Sequence, residues 1–233
     1  MAARRKTSKM PVKSLFVTAT DTDAGKTFVS TMLLQGLKQK NIVSVGLKPI
    51  AAGAVAQNEN SDALLLLGAS GIALPYKEVN PQCFTEAVAP HLAAQRSQQP
   101  IDETQLTAWL KKQQQLPVSQ LIIEGAGGWL LPLNEKRYLS DWVTEQQLPV
   151  LLVVGMKLGC LNHAMLTVRE IARSGLPLAG WVANCIDPDM ALLDENIADL
   201  QLRIPAPCWG VIPYAPDALQ YQQLAAQLAA HLD

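Results

Sequence analysis

Short, almost uniformly apolar runs recur along this chain between longer amphipathic segments, and this alternation constrains the fold more than any other feature. The runs are Ser14 to Thr18, Val43 to Leu47, Gln120 to Ile123, Val150 to Val154, Leu178 to Ala183 and Cys208 to Ile212. Strands with one wet face alternate apolar and polar residues; these runs do not, as expected of strands covered on both faces of a parallel sheet. Helices are expected over Lys26 to Lys40, Ser61 to Leu67, Ala87 to Arg96, Glu103 to Gln115, Ser140 to Gln147, Leu161 to Ser174, Met190 to Leu202 and Asp217 to His231. The order implies right-handed βαβ crossovers in one doubly wound, mostly parallel sheet with helices on both faces and ligands at the carboxyl ends of its strands. Pro149, Pro177 and Pro207 each stand just before a strand, where a missing amide donor does least harm.

The chain has 233 residues, 49% of them hydrophobic, which suits a single α/β domain with a substantial core. That domain is expected over residues 14–233, behind a basic flexible tail at 1–13 that lacks the apolar stretch of a targeting peptide. The longest apolar run, Leu148 to Met156, contains a proline and is too short to cross a bilayer as a helix. A soluble cytoplasmic protein is the expectation. With a formal net charge of -1 the chain shows no strongly basic face, so neither nucleic acid nor membrane is an expected partner. Cys83, Cys160, Cys185 and Cys208 are scattered without C-x-x-C pairs and read as small buried thiols rather than zinc ligands.

The segment from Leu15 to Thr27 passes from an apolar strand through a polar loop into a helix beginning near Lys26. Backbone amides of such a loop and of the helix start converge on phosphate oxygens, Lys26 adds charge and Thr27 a hydroxyl for magnesium. Gly25 permits close backbone approach. The match to G-x-x-x-x-G-K-[ST] is incomplete, because Thr20 holds the first glycine position and Ala19 the one before it. A capped helix with a surface lysine is the alternative, but the position directly after the first strand favours phosphate.

Magnesium needs hard oxygen ligands, and Glu124, which ends the run Leu121 to Ile123 ahead of Gly125-Ala-Gly-Gly128, is a candidate. The alternative is an exposed acid at a strand-ending turn. Lys48 ends another apolar strand and would project from the same carboxyl edge, where it could neutralise transferred phosphate charge or simply be solvated. Asp62 reads as a helix cap or a first-turn acid, with the cap favoured by the residues alone. The loop from Gly155 to Asn162 holds an anion on its free amides or merely makes a tight turn. Asn184 is a base-reading amide or an Asx turn.

These segments, taken in order, resemble the dethiobiotin synthetases. The resemblance is carried by Thr20-Asp-Thr-Asp-Ala-Gly-Lys-Thr27, Gly46-Leu-Lys-Pro-Ile-Ala-Ala-Gly53, Asn60-Ser-Asp62, Val79-Asn-Pro81, Glu124-Gly-Ala-Gly-Gly-Trp129, Val154 to His163 and Gly180-Trp-Val-Ala-Asn184. It implies a P-loop NTPase-like fold and an ATP-dependent ligase that closes a ureido ring on 7,8-diaminononanoate with carbon dioxide, the penultimate step of biotin synthesis. It further implies ATP contacts from Thr22, Asp23, Ala24, Gly25, Lys26, Thr27 and Phe28, from Asp62 and Glu124, and from Gly125, Ala126 and Gly127. Asn184 would read adenine, with Pro213 and Tyr214 near the base. Thr27, Asp62 and Glu124 would hold Mg2+, and Lys48 and Lys26 would be catalytic.

Substrate would touch Thr22, Asp23, Lys48 and Ala52. Its carboxylate would lie on Leu158, Gly159, Cys160, Leu161 and Asn162 of the neighbouring subunit of a homodimer, with Cys160 acting through its backbone amide. Two departures from the family pattern stand out. Ala19 replaces a glycine, which matters if that residue needs a positive φ and little if it is strand-like. Ala52 replaces a serine found in some members, removing a side-chain hydrogen bond to the carbamate. A related amidoligase acting on a larger carboxylate and a partition-type switch ATPase are the competing readings. The first usually carries a further domain; the second carries an extra early lysine in its phosphate loop, absent between Ala19 and Gly25.

Overall fold

The computed structural model describes residues 12–55 and 58–232. Residues 1–11 of the expected tail lie outside the described residues, and Lys13, placed in that tail, opens the first strand. The elements run β1 (Lys13–Ala19), α1 (Lys26–Gln39), β2 (Ser44–Leu47), β3 (Ile50–Ala52), α2 (Ser61–Ala69), α3 (Tyr76–Val79), β4 (Gln82–Phe84), α4 (Pro90–Arg96) and α5 (Glu103–Gln113). They continue with β5 (Gln120–Glu124), α6 (Leu139–Glu145), β6 (Val150–Met156), α7 (Cys160–Arg173), β7 (Leu178–Cys185), α8 (Leu193–Arg203), β8 (Cys208–Ile212) and α9 (Ala218–Ala229). Among the described residues no helix is long and apolar enough to cross a membrane.

Six parallel strands form the main sheet in the order β2-β5-β1-β6-β7-β8, and β3 pairs with β4 in a small parallel sheet. All six strand expectations correspond to strands of the main sheet. The proline signals hold as well: the carbonyls of Pro149, Pro177 and Pro207 accept from Phe16, Val150 and Trp181 of neighbouring strands. β3, β4 and α3 escape the sequence reading because three or four residues are too few to establish a period. α4 begins at Pro90 rather than at residue 87, since proline suits the first helical position and restrains the residues before it.

The uniform apolarity of the strands has the expected cause. In β1, Phe16 packs into one core with Leu47, Ile123 and Trp142, while Leu15, Val17 and Ala19 face another formed with Val29, Leu33 and Ile122. A third core joins Leu152 and Val154 to α7 and α8 through Ala164, Val168, Ile197 and Leu200. Both sheet faces are thus sealed, and what remains open is the carboxyl edge. α1 lies hard against α9, where a Cβ on Gly36 would stand 1.9 Å from the Ala225 carbonyl oxygen.

Candidate active site

The helix after β1 begins in an unusual way. Its N-cap, Gly25, is left-handed at φ 90°, no side chain caps the helix, and no acid stands in the first turn. By contrast α2, α5 and α9 are capped by Asn60, Asp102 and Asp217. The first intrahelical bond runs from Val29 N–H to the Gly25 carbonyl at 3.0 Å. The amides of Lys26, Thr27 and Phe28 therefore face outward at the positive end of the helix dipole, a ready anion site. Asn184 braces the loop from behind, donating from Nδ2 to the Ala24 carbonyl at 2.9 Å. Ala19 lies inside β1, buried, and is not among the residues with positive φ, so its replacement of glycine introduces no backbone strain.

β2, β5 and β1 are neighbours, so the residues at their carboxyl ends meet. Lys48 and Glu124 are only 3% and 0% exposed, and Lys26 is 7% exposed. The Lys48 ammonium donates to Glu124 Oε1 at 2.6 Å and to Asp62 Oδ2 at 2.9 Å. The solvated lysine and the exposed strand-end acid left open by the sequence are both ruled out. Asp62 also departs from the favoured sequence reading: Asn60 is the cap, its Oδ1 accepting from the amides of Asp62 and Ala63, and Asp62 is a first-turn acid whose carboxylate meets Lys48. Asn60 wins because its backbone is extended, as an N-cap requires.

Burial works to strip the proton from Lys48, but Glu124 and Asp62 outweigh it and hold the ammonium above the ordinary lysine range. The stability this pair contributes is present below the unfolded lysine value and is lost only as pH rises through the higher folded one. Burial pushes Lys26 the other way, below the ordinary lysine value, with Glu124 opposing the shift. Its Nζ donates to the Asp21 carbonyl at 3.3 Å. The site thus holds a lysine whose charge is secured by its neighbours beside one whose charge an incoming anion would stabilise.

Glu124 Oε1 also accepts from Thr27 Oγ1 at 2.8 Å, while Oε2 is buried without a hydrogen-bond partner among the described residues. A buried carboxylate oxygen left unpaired costs at least about 1–3 kcal/mol. With the Thr27 hydroxyl at the same carboxylate and Asp62 across Lys48, this set of hard oxygens fits a small divalent cation.

A cleft of about 610 Å³ opens over these groups. Its lining brings together the expected Thr22, Asp23, Gly25, Lys26, Thr27, Lys48, Ala52, Asp62, Ala126 and Gly127. Asn60 and an apolar wall of Ala87, Val88, Ala89, Pro90 and Leu131 were not anticipated. The wall gave no sequence signal beyond the helix assigned to residues 87–96. Ala24 is buried under the loop, Gly125 donates its N–H to the Val17 carbonyl at 2.9 Å, and Phe28 stacks edge-on with Tyr221 at 5.6 Å.

Other expected residues lie apart from this cleft. Pro213 and Tyr214 line a separate cleft of about 280 Å³ with Cys185, Asp187 and Asp194, at the carboxyl ends of β7 and β8. Leu158, Gly159, Cys160, Leu161 and Asn162 lead into α7, with Leu158 95% exposed and Gly159 left-handed. The Cys160 amide, expected to serve a ligand, instead donates to the Lys157 carbonyl at 3.0 Å. Helical geometry leaves the amides of Leu161 and Asn162 facing outward, because the first intrahelical bond is made by His163 to Gly159. Lys157 ties this loop to the phosphate loop through Asp21 Oδ2 at 3.0 Å.

Comparison with known proteins bears on what this geometry serves. An AAA domain family matches residues 13–221. The chain is 45% identical over 227 residues to the ATP-dependent dethiobiotin synthetase BioD of Cellvibrio japonicus, covering 96% of this chain and 97% of that protein. It is 42% identical to the protein of the same name from Pseudoalteromonas translucida, covering 91% and 94%. Among solved structures it superposes on the MinC:MinD cell division protein complex of Aquifex aeolicus with a TM-score of 0.58, at 12% identity and 95% coverage of both chains. That likeness concerns the fold alone.

Proposed function

The chain belongs to the ATP-dependent dethiobiotin synthetase family, and on that premise we propose that its cleft closes the ureido ring of dethiobiotin on 7,8-diaminononanoate, using carbon dioxide and ATP. The observation that carries this reading is that Lys26, which opens the helix after β1, and Lys48, at the end of β2, line one cleft, with the buried Glu124 of β5 beneath it bonded to Lys48 and Thr27. One substrate amine adds to carbon dioxide and loses a proton, giving a carbamate. A carbamate oxygen then attacks the γ-phosphorus, ADP leaves, and a carbamic-phosphoric anhydride remains. The second amine attacks its carbonyl carbon, the C–O bond to phosphate breaks, and the ring closes with loss of a proton and inorganic phosphate.

Little of this requires covalent participation by the protein; positioning and charge stabilisation suffice. Lys26 and the first amides of α1 would hold the β- and γ-phosphates. Lys48 would neutralise the carbamate and the phosphoryl group passing between the substrates. Thr27, Asp62 and Glu124 would hold Mg2+, which supplies charge neutralisation at the phosphates. Ala52 can offer only its backbone there, and its carbonyl already accepts from Asn60 Nδ2 at 3.2 Å. The apolar wall from Ala87 to Pro90 suits the methylene chain of the diamine. With one of its two amide hydrogens on the Ala24 carbonyl, Asn184 would offer its carbonyl oxygen to the adenine amino group, with Pro213 and Tyr214 beside the base. The outward amides of Leu161 and Asn162 would receive the substrate carboxylate of a partner protomer in a homodimer. Four free cysteines suit a reducing, cytoplasmic setting.

An isotope test addresses the proposed route. Turnover with ¹⁸O-labelled bicarbonate places one labelled oxygen in each phosphate released, because the carbamate oxygen that attacked phosphorus departs with it. Unlabelled phosphate would show that the γ-phosphoryl group went to water or another acceptor.

A further inference from the structure

Lys48 and Asp62 are fourteen positions apart and sit on different elements, yet they meet at 2.9 Å. A run of neutral hydrogen bonds behind them explains how that separation is held. The Lys48 backbone is gripped from both sides, its N–H donating to the Val79 carbonyl at 2.9 Å and its carbonyl accepting from Asn80 Nδ2 at 2.6 Å. Asn80 is fully buried, and its Oδ1 accepts from the Tyr76 hydroxyl at 2.7 Å. The same hydroxyl accepts from the Asn60 N–H at 2.7 Å, and Asn60 caps the helical turn that carries Asp62. One phenolic oxygen therefore joins the strand end bearing the lysine to the helix start bearing its carboxylate partner.

We propose that Tyr76 is a positioning residue that fixes the separation of Lys48 and Asp62 without touching substrate. This rests on the catalytic reading of Lys48 given above. Loss of the hydroxyl leaves the Asn60 N–H and Asn80 Oδ1 unpaired and loosens the start of α2 against the β2 end, although Ser70 Oγ still accepts from the Gly46 N–H at the other end of the helix, so the ammonium no longer stands where transferring charge develops. Burial holds the Tyr76 hydroxyl above the ordinary tyrosine range, so it remains a donor throughout the neutral range.

A double-mutant cycle on dethiobiotin formation tests the idea, with ADP affinity and thermal midpoint as measures of folding. Tyr76→Phe is expected to lower kcat by roughly 10- to 100-fold with ADP affinity unchanged, because small displacements of a catalytic charge carry losses of that order. In the Lys48→Met background the same substitution is expected to cost nothing further. Asn80→Ser, which breaks the run one bond later, is expected to show the same non-additivity and serves if Tyr76→Phe lowers the thermal midpoint. Full kcat in Tyr76→Phe, or an equal loss in both backgrounds, would overturn the proposal while leaving Lys48 catalytic. If Lys48→Met alone retains wild-type kcat, the catalytic reading of Lys48 fails, and with it the charge that Tyr76 is proposed to position.

Discussion

Lys48→Met abolishes most ring closure: kcat for dethiobiotin falls by about 100- to 1000-fold, the loss expected when one aligned donor at developing charge is removed. The methionine retains the apolar stem, so the effect isolates the ammonium. Its removal strips Glu124 of the cation at 2.6 Å and Asp62 of the cation at 2.9 Å. Asp62, whose side chain is 41% exposed, regains water; the Glu124 side chain, at 0%, does not. Breaking one partner out of a buried pair costs about 3–5 kcal/mol, so the thermal midpoint drops as well. ADP affinity is expected to stay close to wild type, since the phosphate loop and Lys26 are untouched. Measured turnover near the wild-type rate would remove Lys48 from the chemistry.

Gly25→Ala attacks the other half of the site. At φ 90° any side chain is strained, and the added Cβ would stand 2.1 Å from Asn184 Nδ2, which must then release the Ala24 carbonyl. A left-handed non-glycine residue costs about 1–2 kcal/mol, and an unpaired buried carbonyl adds about 1–3 kcal/mol. Together these costs, about 2–5 kcal/mol borne by the bound loop, lower nucleotide affinity by about 1.5 to 3.5 orders of magnitude at 1.4 kcal/mol per decade. Titration calorimetry with ADP reads this directly, while the circular dichroism spectrum stays that of the intact sheet. Wild-type affinity would mean that the loop relaxes around the methyl group and that Asn184 does not brace it.

The legibility of this molecule from sequence followed the range of its interactions. The six strands of the main sheet carry their own signal, because burial on both faces makes each run apolar from end to end, as in β6 with every residue buried. Lys48, Glu124 and the phosphate loop could be assigned to one edge because each follows such a run. The cap reading favoured for Asp62 went wrong because an acid just before an apolar helical run suits a cap as well as a first turn, and nothing local shows that Asn60 takes the cap while the Asp62 carboxylate meets Lys48. Long-range partners were hidden for the same reason. Nothing near Asn184 reveals that it supports Ala24, 160 positions earlier, and nothing near Tyr76 reveals that it joins Asn60 to Asn80. The apolar wall at residues 87–90 was hidden inside an overlong helix, because alanine and valine there fit a helical period equally well.

The central claim is that this cleft couples ATP to ring closure on a diamine. Its most direct test follows ADP and dethiobiotin together, the latter by mass spectrometry, with purified protein, magnesium-ATP and bicarbonate, in the presence and absence of 7,8-diaminononanoate. The account predicts ADP release that depends on the diamine and dethiobiotin appearing in equal amount. ADP released at the same rate without diamine, and no dethiobiotin formed, would contradict it.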